Sequence, residues 1–358
     1  MLITRFKICI HFRHRRYSPL LFYNKLINVQ YFIDFMVTSL ADPFHLPKIS
    51  IVVASYNSES RSYLQRCLES IKKQEYSGEV ELIVVDGGST DESVAVSLSY
   101  GARIINNPNV TELGFAGGKN LGINHSTGEF VAIVDADNIL MSSHYLTKMI
   151  QPFLEDDEIS MTVPMPYIPL LSGECTNLCR YFCLMEKALW ESLMNSGASR
   201  GLWVKFLPSE IVVSNGAIIR RSILKKIGGW DYDTEVGFRL IENGFGAFGI
   251  VSSAERFHIE MLNFGDVWRK YKRRILNQIE EKKQKKVSQS KIDEEIRNPL
   301  FLLKKELLLP FKNLPQGYKK YYTIALTIFF IKLLLGLHYI VLSHKLIANN
   351  ARMIVQNE

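Results

Sequence analysis

The chain is poor in cysteine, with five among 358 residues, and no two of them are separated by just two residues. Common zinc sites and thiol redox motifs need that spacing, so its absence argues against both. Cys175, Cys179 and Cys183 recur every four residues, which predicts that they share one face of a helix. We expect them to be small buried core residues, as free cysteines commonly are. Nothing in this cysteine usage requires an oxidising compartment.

The sequence also lacks internal repeats, low-complexity tracts and a cleavable signal peptide. Five arginines and lysines stand before position 17, but no uninterrupted apolar stretch with a small-residue cleavage site follows them. Met36 begins the sequence MVTSLADPFHLPK and is a reasonable true start, so we interpret residues 1–35 as an over-long N-terminus. A basic arm that touches a membrane is the alternative.

Positive charge is scarce in the central part of the chain. Residues 36–267 contain 18 basic and 28 acidic side chains, a net charge of −10, whereas residues 268–321 contain 16 basic and 6 acidic ones, a net charge of +10. A nucleic-acid-binding domain carries its basic surface on the domain itself, so we expect no nucleic-acid partner. A basic tail fits attachment to an anionic membrane surface.

Short apolar runs alternate with amphipathic segments from Pro47 onward. KISIVVASYN, ELIVVD, RIINN and EFVAIVDADN are predicted strands, and SYLQRCLESIKKQ and DESVAVSLSYGA are predicted helices. GFAGGKNLGINHSTG is predicted to be a glycine-rich loop that opens a helix, and further helices are predicted near 172–193 and 232–246. Alternation of strands and helices is typical of an α/β protein with a mostly parallel sheet between helices.

Two pairs of aspartates stand at predicted strand ends. Asp86 and Asp91 follow the run LIVV, and Asp135 and Asp137 follow the run FVAIV. Ligands of open α/β sheets collect at the carboxyl ends of such strands. Two carboxylates with one residue between them suit Mg²⁺ or Mn²⁺, which in turn binds a diphosphate. The sequence therefore predicts a site for a metal–nucleotide complex, although Asp91 is also well placed to cap the helix that follows it.

Five motifs between residues 48 and 271 follow one another in a characteristic order: VVASYN, VVDGGSTD, GFAGGKNLGI, the Asp-Ala-Asp sequence at 135–137, and VVSNGAIIRRSILKKIGGWD. In this order they resemble the family 2 glycosyltransferases with the GT-A fold. The resemblance implies the GT-A nucleotide-diphospho-sugar transferase fold, a UDP- or GDP-linked sugar donor, a divalent metal, and inversion at the anomeric carbon. QxxRW is absent, which disfavours a processive polysaccharide synthase of the cellulose or hyaluronan type.

The resemblance implies that the first motifs bind the nucleotide-sugar donor. Lys119 stands where the family frequently has arginine, and it would neutralise a diphosphate as a point charge without the bidentate fork. A solvated lysine near a helix start is the alternative. The implied nucleotide-sugar-binding residues are Ser55, Tyr56, Asn57, Asp86, Gly88, Lys119 and Asp135.

The resemblance implies that the later motifs contain the metal ligands and the residues on the acceptor side. Asp137 and Asp135 are the implied metal ligands, and His258 falls where some members place a histidine near the metal, with a buried or capping role as an equal alternative. The resemblance makes Asp233 the general base that takes the proton of the acceptor hydroxyl. Tyr232 stands where glutamate is common in the family. The implied acceptor or donor-sugar loop contains Asn215, Gly216, Trp230 and Asp231.

We divide the chain into an N-terminal extension (1–46), a GT-A domain (47–267), a basic charged helical linker (268–298) and a membrane-associated helical tail (299–358). Residues 322–343 are long and apolar enough to be a candidate transmembrane helix. A helix lying in the membrane interface and a soluble packing helix are the alternatives for this segment.

The sequence thus predicts a membrane-associated, inverting glycosyltransferase with its catalytic domain in the cytoplasm. Its acceptor would be a hydroxyl or a lipid phosphate of a glycan or lipid-linked molecule. A nucleotidyltransferase is disfavoured because ASYNSESRS lacks the glycine-rich loop with arginine and lysine that those enzymes carry after the first strand. A catalytically inactive nucleotide-binding scaffold at the membrane is the alternative from another class.

Overall fold

The structure is a computed structural model, and one compact unit, Pro47–Glu358, holds all the elements given below. The structure describes residues 46–59, 62–107, 110–169, 175–206, 215–230, 233–259, 263–269, 272, 323–331 and 333–334.

Within the described part of residues 49–258, the chain forms ten strands and seven helices. The strands are β1 (Ile49–Ser55), β2 (Val80–Asp86), β3 (Arg103–Asn106), β4 (Phe130–Ile133), β5 (Asn138–Leu140), β6 (Ile159–Pro166), β7 (Ala198–Ser199), β8 (Trp203–Phe206), β9 (Ile218–Arg220) and β10 (Ala247–His258). The helices are α1 (Tyr63–Lys72), α2 (Ser93–Ser99), α3 (Val110–His125), α4 (Tyr145–Glu155), α5 (Asn177–Ser196), α6 (Arg221–Lys226) and α7 (Asp233–Glu242).

The strands form one mixed sheet in the order β3-β2-β1-β4-β9-β6-β10-β8-β7, and β5 pairs with β10 beside this path. The four strands β3, β2, β1 and β4 run parallel to one another, which confirms the prediction for the first part of the chain. Beyond β4 the sheet is less regular, because β9 is antiparallel to both β4 and β6 while β10 is parallel to β6. The fold is therefore α/β with a mixed sheet.

Strand β1 is buried along its whole length because helices cover both faces of the sheet. Ile49, Ile51 and Val53 point into a core cluster that includes residues of α1 and α4. Val52 points the other way, into a cluster with residues of α3, α6 and α7. Side chains alternate between the two faces of a strand, so one strand supplies both cores and holds its carboxyl end rigidly between the two helical layers.

The glycine-rich segment predicted as a loop is helical instead, since α3 runs through it to His125. Its glycines allow the helix to lie directly on the sheet. A Cβ atom at Gly122 would come within 2.3 Å of Val52 Cγ1, and one at Gly118 would lie 3.4 Å from Ala54 Cβ. The low helix propensity of glycine is offset here by the close packing that only glycine permits.

Two of the three cysteines predicted to line one helix face, Cys179 and Cys183, are buried, as expected. Helix α5 also contacts a C-terminal helical segment, residues 323–331. The candidate transmembrane helix at 322–343 is described only at 323–331 and 333–334, and within the described ranges no helix has the length and apolar character needed to cross a membrane. Of the basic linker predicted at 268–298, the structure describes residues 268, 269 and 272.

Candidate active site

The ends of β1 and β2 bring two predicted donor-binding residues side by side. Ser55 and Asp86 are register partners in the parallel pair, and both side chains are buried. One Asp86 oxygen, Oδ2, accepts hydrogen bonds from the N–H groups of Gly88 at 2.9 Å and Ser89 at 3.0 Å. Among the described residues, the other oxygen, Oδ1, and the Ser55 hydroxyl have no hydrogen-bond partner. A buried polar atom left without a partner costs about 1–3 kcal/mol, so this pair is suited to a polar ligand group.

The loops that follow β1 and β2 are tied to each other by Asn57. Its carboxamide oxygen accepts a hydrogen bond from the Thr90 N–H at 2.8 Å, and its own N–H donates to the Ser89 hydroxyl at 2.9 Å. Asn57 has a positive φ of 49°, a conformation that asparagine adopts more readily than most residues. Asn57 therefore shapes the loop, while its neighbour Tyr56 presents a largely exposed ring beside it.

Asp91 holds the start of α2, in line with the capping alternative. Its carboxylate accepts hydrogen bonds from the N–H of Ser93, the first residue of that helix, and from the N–H of Glu59. A carboxylate at this position also complements the positive end of the helix dipole.

Lys119 of α3 is buried beside the first aspartate of the Asp-Ala-Asp motif. Its Nζ lies 3.0 Å from Asp135 Oδ1 and 5.5 Å from the centroid of the Trp230 ring. The solvated alternative for this lysine is therefore wrong. An ion pair with one buried partner fixes both side chains, because leaving either charge without its partner is strongly unfavourable. The structure thus places a positive charge at the end of β4, where an anion could reach it past the partly exposed Asp135.

The second aspartate of the motif faces the end of β10. After Asp135 the chain turns into β5, which pairs with β10 so that Asn138 is the register partner of His258. Asp137 Oδ2 lies 3.3 Å from His258 Nε2, and Asp137 Oδ1 accepts a hydrogen bond from Asn138 Nδ2 at 3.0 Å. The backbone of Asp137 is also fixed to the end of β10, since the Ile259 N–H donates a hydrogen bond to the Asp137 carbonyl.

The pair formed by Asp137 and His258 has the chemistry of a partial metal site. Within the described residues no group of three histidine, cysteine or acidic side chains is placed to hold an ion by itself. However, a carboxylate oxygen and an imidazole nitrogen 3.3 Å apart have the separation of neighbouring ligands bound at about 2.1 Å. The two residues therefore have the spacing of two ligands of one divalent ion.

A cysteine lies directly beneath this motif. The Cys67 thiol donates a weak hydrogen bond to the Asp135 carbonyl at 3.6 Å. Burial, together with the negative charges of Asp137 and Asp135, raises the pKa of Cys67 far above its usual range. Cys67 is therefore a neutral packing and hydrogen-bonding residue and supplies no thiolate to the site.

The turn at 228–230 connects the donor side to α7. Asn120 Oδ1 accepts a hydrogen bond from the Trp230 N–H at 2.6 Å, and Gly229, with a φ of 92°, allows this approach because a Cβ there would lie 2.3 Å from the same oxygen. From α7, Arg239 donates to the carbonyls of Ile227 at 2.9 Å and Gly229 at 2.8 Å. These bonds fix the position of α7 relative to the motif.

Asp233, the predicted base, is the first residue of α7. The predicted acceptor-loop residue Asp231 lies outside the described residues, as does Tyr232. The hydrogen bonds of Asn120 and Arg239 connect α3 and α7, the helix that carries Asp233, through the 227–230 segment. The sequence assigns neither residue a role, although the resemblance includes an asparagine beside the basic residue of the GFAGGKNLGI motif, which is Asn120 here.

The predicted loop at Asn215 and Gly216 is held from below by residues that the sequence did not reveal. Gly216 has a φ of 85° and its carbonyl accepts a hydrogen bond from the Tyr145 hydroxyl at 2.8 Å. The Asn215 carbonyl accepts one from Arg256 Nε at 2.8 Å, and Arg256 also pairs with Glu186 of α5. Burial raises the pKa of Tyr145 well above its usual range, although the charge of Arg256 opposes this, so the hydroxyl stays protonated as a donor.

Comparison with known proteins decides the family. The model of the family described as Glycosyl transferase family 2 matches residues 50–228, half of the 358 residues. The chain belongs to this family. The matched range of this family 2 glycosyltransferase covers the predicted donor-binding residues, the Asp-Ala-Asp motif and the Asn215 loop, whereas Asp233 and His258 lie beyond it.

Relatives of this family 2 glycosyltransferase include the glycosyltransferase GlyG of Streptococcus pneumoniae serotype 4. The two are 31% identical over 189 residues, which cover 50% of this chain and 58% of GlyG. The probable glycosyltransferase YdaM of Bacillus subtilis is 27% identical over 214 residues, covering 56% and 48%. The chain thus spans about half the length of these relatives.

The fold of this family 2 glycosyltransferase is similar to that of the mannosyltransferase PcManGT from Pyrobaculum calidifontis. The TM-score is 0.50 at 15% identity, and the match covers 83% of this chain and 88% of the other. That structure contains GDP-Man and Mn²⁺. The similarity supports the GT-A type of fold.

Proposed function

We propose that this chain transfers a sugar from a UDP- or GDP-linked donor to an acceptor hydroxyl or lipid phosphate, with inversion at the anomeric carbon. One observation carries the proposal. The adjacent ends of β2, β1 and β4 hold polar atoms of Asp86 and Ser55 that have no partner among the described residues, and the Lys119–Asp135 ion pair lies at the same end of the sheet. A nucleoside and a diphosphate need these two kinds of group side by side.

The nucleoside would lie at Asp86 and Ser55. Asp86 Oδ1 would accept a hydrogen bond from the base or a ribose hydroxyl, and the Ser55 hydroxyl would donate or accept one. The exposed ring of Tyr56 offers a face on which a base can stack. Gly88, with a φ of 86°, keeps the backbone close to this position without a side chain in the way.

The diphosphate would lie between Lys119 and Asp137. Lys119 supplies positive charge from a buried position, and Asp137 and His258 would hold a divalent ion. When bound, such an ion acts as a Lewis acid that stabilises the negative charge of the departing nucleoside diphosphate. Mn²⁺ is a reasonable first choice, because it is the ion in the mannosyltransferase of similar fold.

The base would be Asp233 at the start of α7. The acceptor oxygen forms a bond to the anomeric carbon from the face opposite the diphosphate, while the bond from that carbon to the diphosphate oxygen breaks. The proton of the acceptor hydroxyl passes to the Asp233 carboxylate. Asn120 and Arg239 act through their hydrogen bonds to the 227–230 segment as positioning residues.

The setting of the reaction is part of the same proposal. The basic, leucine-rich chain beyond residue 268 supports a membrane-associated protein with a lipid-linked acceptor and a catalytic domain in the cytoplasm.

A thermal-shift screen with UDP, GDP and their sugars, each with and without Mn²⁺, tests the donor site. A ligand that binds only the native state raises the melting temperature by mass action. We expect one nucleotide class to stabilise the protein, with Mn²⁺ increasing the shift, and Asp137→Ala to remove the increase that Mn²⁺ gives.

Asp266→Ala is a matched control, because Asp266 is an aspartate of the same domain outside the motif. If no nucleotide shifts the melting temperature of the wild-type protein, the donor site is refuted. If nucleotides bind but no donor sugar is turned over, the alternative of a catalytically inactive scaffold takes its place.

A further inference from the structure

The C-terminal helical segment at 323–331 is held on the domain by one of its faces. Ala325 and Ile328 are buried in a cluster with Leu178 and Leu184 of α5 and with Val267. Because residues three apart on a helix lie on the same face, these contacts fix which side of the segment points away from the domain.

The side that points away is largely apolar, with Thr323 as its exposed polar residue. Leu326, Phe330 and Leu334 follow one another at intervals of four residues, and their exposed fractions are 48%, 52% and 57%. A contiguous exposed apolar patch of this kind marks an interaction site more often than isolated exposed leucines do. Polar side chains would be expected here if water were the final environment of this face.

A second exposed apolar element belongs to the same cluster. The helical turn at 264–269 buries Val267 against the C-terminal segment, while Phe264 and Trp268 are 39% and 40% exposed. Tryptophan is enriched where proteins meet the headgroup level of a bilayer, because its ring is apolar and its N–H is polar. We refer to Phe264, Trp268, Leu326, Phe330 and Leu334 together as the docking face.

Positive charge predominates in the sequence next to the docking face, although Arg269 pairs with Asp266 there. The chain leaves the cluster at Trp268 and returns to it at Thr323, and the sequence between them holds 16 basic and 6 acidic residues. Arg269 and Lys272 are exposed at the point where it leaves. No acidic residue occurs between residues 307 and 357. The sequence that joins the two elements of the docking face therefore carries a net positive charge, which anionic lipid attracts.

We propose that the docking face inserts into the headgroup region of an anionic lipid bilayer and holds the protein on the membrane surface. Apolar side chains with basic residues beside them are the composition of helices that lie in this region. A second copy of the chain would bring two sets of the same positive charge together, which disfavours it as the occupant.

Helix α5 connects this face to the candidate site. Its Leu178 and Leu184 pack on the C-terminal segment, and its Glu186 pairs with Arg256, which in turn donates to the Asn215 carbonyl. Through this connection the membrane would lie close to the acceptor side of the candidate site, an inference that rests on the proposed function. The docking of the face on the membrane does not depend on the proposed function.

Vesicle binding and tryptophan fluorescence of the full chain test the proposal. The chain has four tryptophans, of which Trp190, Trp203 and Trp230 are buried and Trp268 is exposed. We expect the protein to bind vesicles containing phosphatidylglycerol at least about tenfold more tightly than vesicles of phosphatidylcholine alone, a difference of about 1.4 kcal/mol. Brominated acyl chains in the bound vesicles should quench the emission of Trp268.

A matched pair of double variants tests which residues bind. Leu326→Glu with Phe330→Glu should weaken binding to the anionic vesicles by at least about tenfold, with an unchanged melting temperature because both side chains are exposed. Leu98→Glu with Leu154→Glu changes leucines that are 58% and 54% exposed on α2 and α4, and it adds the same charge. This control should lower binding much less.

Three results would overturn the proposal. The first is wild-type protein that fails to bind anionic vesicles, and the second is an equal loss of binding in the two double variants. The third is self-association of the wild-type protein, seen by light scattering without vesicles, that Leu326→Glu with Phe330→Glu abolishes. None of these measurements involves sugar transfer, so a failure here is distinguishable from a failure of the proposed function, which nucleotide-induced thermal shifts report separately.

Discussion

The carboxamide oxygen of Asn120 accepts a 2.6 Å hydrogen bond from the backbone N–H of Trp230. Asn120 directly follows Lys119, whose Nζ pairs with Asp135 and lies over the Trp230 ring. Two consecutive residues of α3 thus contact the Asp-Ala-Asp motif and the turn that leads to Asp233. This arrangement couples the position of the candidate donor site to the position of the candidate base.

Asn120→Ala should therefore impair turnover more than binding. Removing the acceptor leaves the Trp230 N–H without this bond, which costs about 1–3 kcal/mol of stability. A displaced α7 should lower kcat by about tenfold or more, because small misplacements of reacting groups are costly, while nucleotide affinity stays within about twofold of wild type. Asn120→Asp keeps the accepting oxygen and should recover most of kcat. A loss of stability without any loss of kcat would show that the bond is structural only.

Asp233→Asn should abolish transfer while leaving nucleotide binding nearly unchanged. The amide is similar in size to the carboxylate but cannot take the acceptor proton, and general bases typically contribute about 10²–10⁴-fold to the rate. The measurement is the release of nucleoside diphosphate in the presence of acceptor. Glu242→Gln changes an exposed acid at the other end of the same helix and should keep wild-type activity. Wild-type turnover in Asp233→Asn would show that another group is the base.

Gly122→Ala should destabilise the domain, whereas Gly118→Ala should not. A Cβ at Gly122 would lie 2.3 Å from Val52 Cγ1, so the helix would have to move off the sheet, and such overpacking costs about 1–3 kcal/mol. At Gly118 the nearest atom is 3.4 Å away, and alanine should be neutral or gain up to about 1 kcal/mol from its helix propensity. Denaturant unfolding measures both. Equal stability of the two variants would contradict the close packing of α3.

Stability should depend on the ion pair between Lys205 of β8 and Asp156, whose atoms lie 2.8 Å apart. The hydrogen bond from Lys205 lowers the pKa of Asp156, and the hydrogen bonds to Asp156 and Glu158 raise the pKa of Lys205. The contribution of Asp156 is present above its unfolded pKa of about 3.9 and is lost as the pH falls through its lower folded value. The contribution of Lys205 is present below about 10.4 and is lost as the pH rises through its higher folded value.

Lys205→Met should therefore lower the unfolding free energy by about 1–2 kcal/mol near pH 7. The difference from wild type should begin to shrink as the pH falls below about 3.9, the ordinary pKa of aspartate, and should vanish once the pH is below the lowered pKa of Asp156 in the folded wild type. Lys73→Met removes the exposed i,i+4 pair with Glu69 and should have a smaller effect at every pH. A loss of stability that is the same at pH 3 and pH 7 would mean that Lys205 acts through packing alone.

The local parts of the fold were predictable from the sequence because local patterns determine them. Apolar runs defined β1, β2, β3 and β4, and the aspartates that follow two of these strands lie at the predicted edge of the sheet. The helical course of α3 was not predictable, because glycine argues against a helix unless the closeness of the sheet is known. Here the packing of Gly122 against a strand about 70 residues earlier outweighs the low helix propensity of glycine.

Contacts between distant parts of the chain could not be predicted from the sequence either. His258 could be placed beside Asp137 only by the resemblance to the family, since the pairing of β5 with β10 spans more than one hundred residues. Arg256 gave no signal beyond a charged residue next to Glu255 near the end of a strand, and Glu186 gave none beyond a glutamate on an amphipathic helix. Their role in holding the Asn215 loop is visible only in the structure.

The most direct test of the account is a crystal structure grown with Mn²⁺ and the nucleoside diphosphate that stabilises the protein most. Anomalous scattering identifies the metal independently of the protein. The account predicts a manganese peak in contact with Asp137 and His258, a diphosphate beside Lys119, and a hydrogen bond from the nucleoside to Asp86. A metal and diphosphate bound elsewhere, with no ligand atom in contact with Asp137 or Asp86, would contradict it.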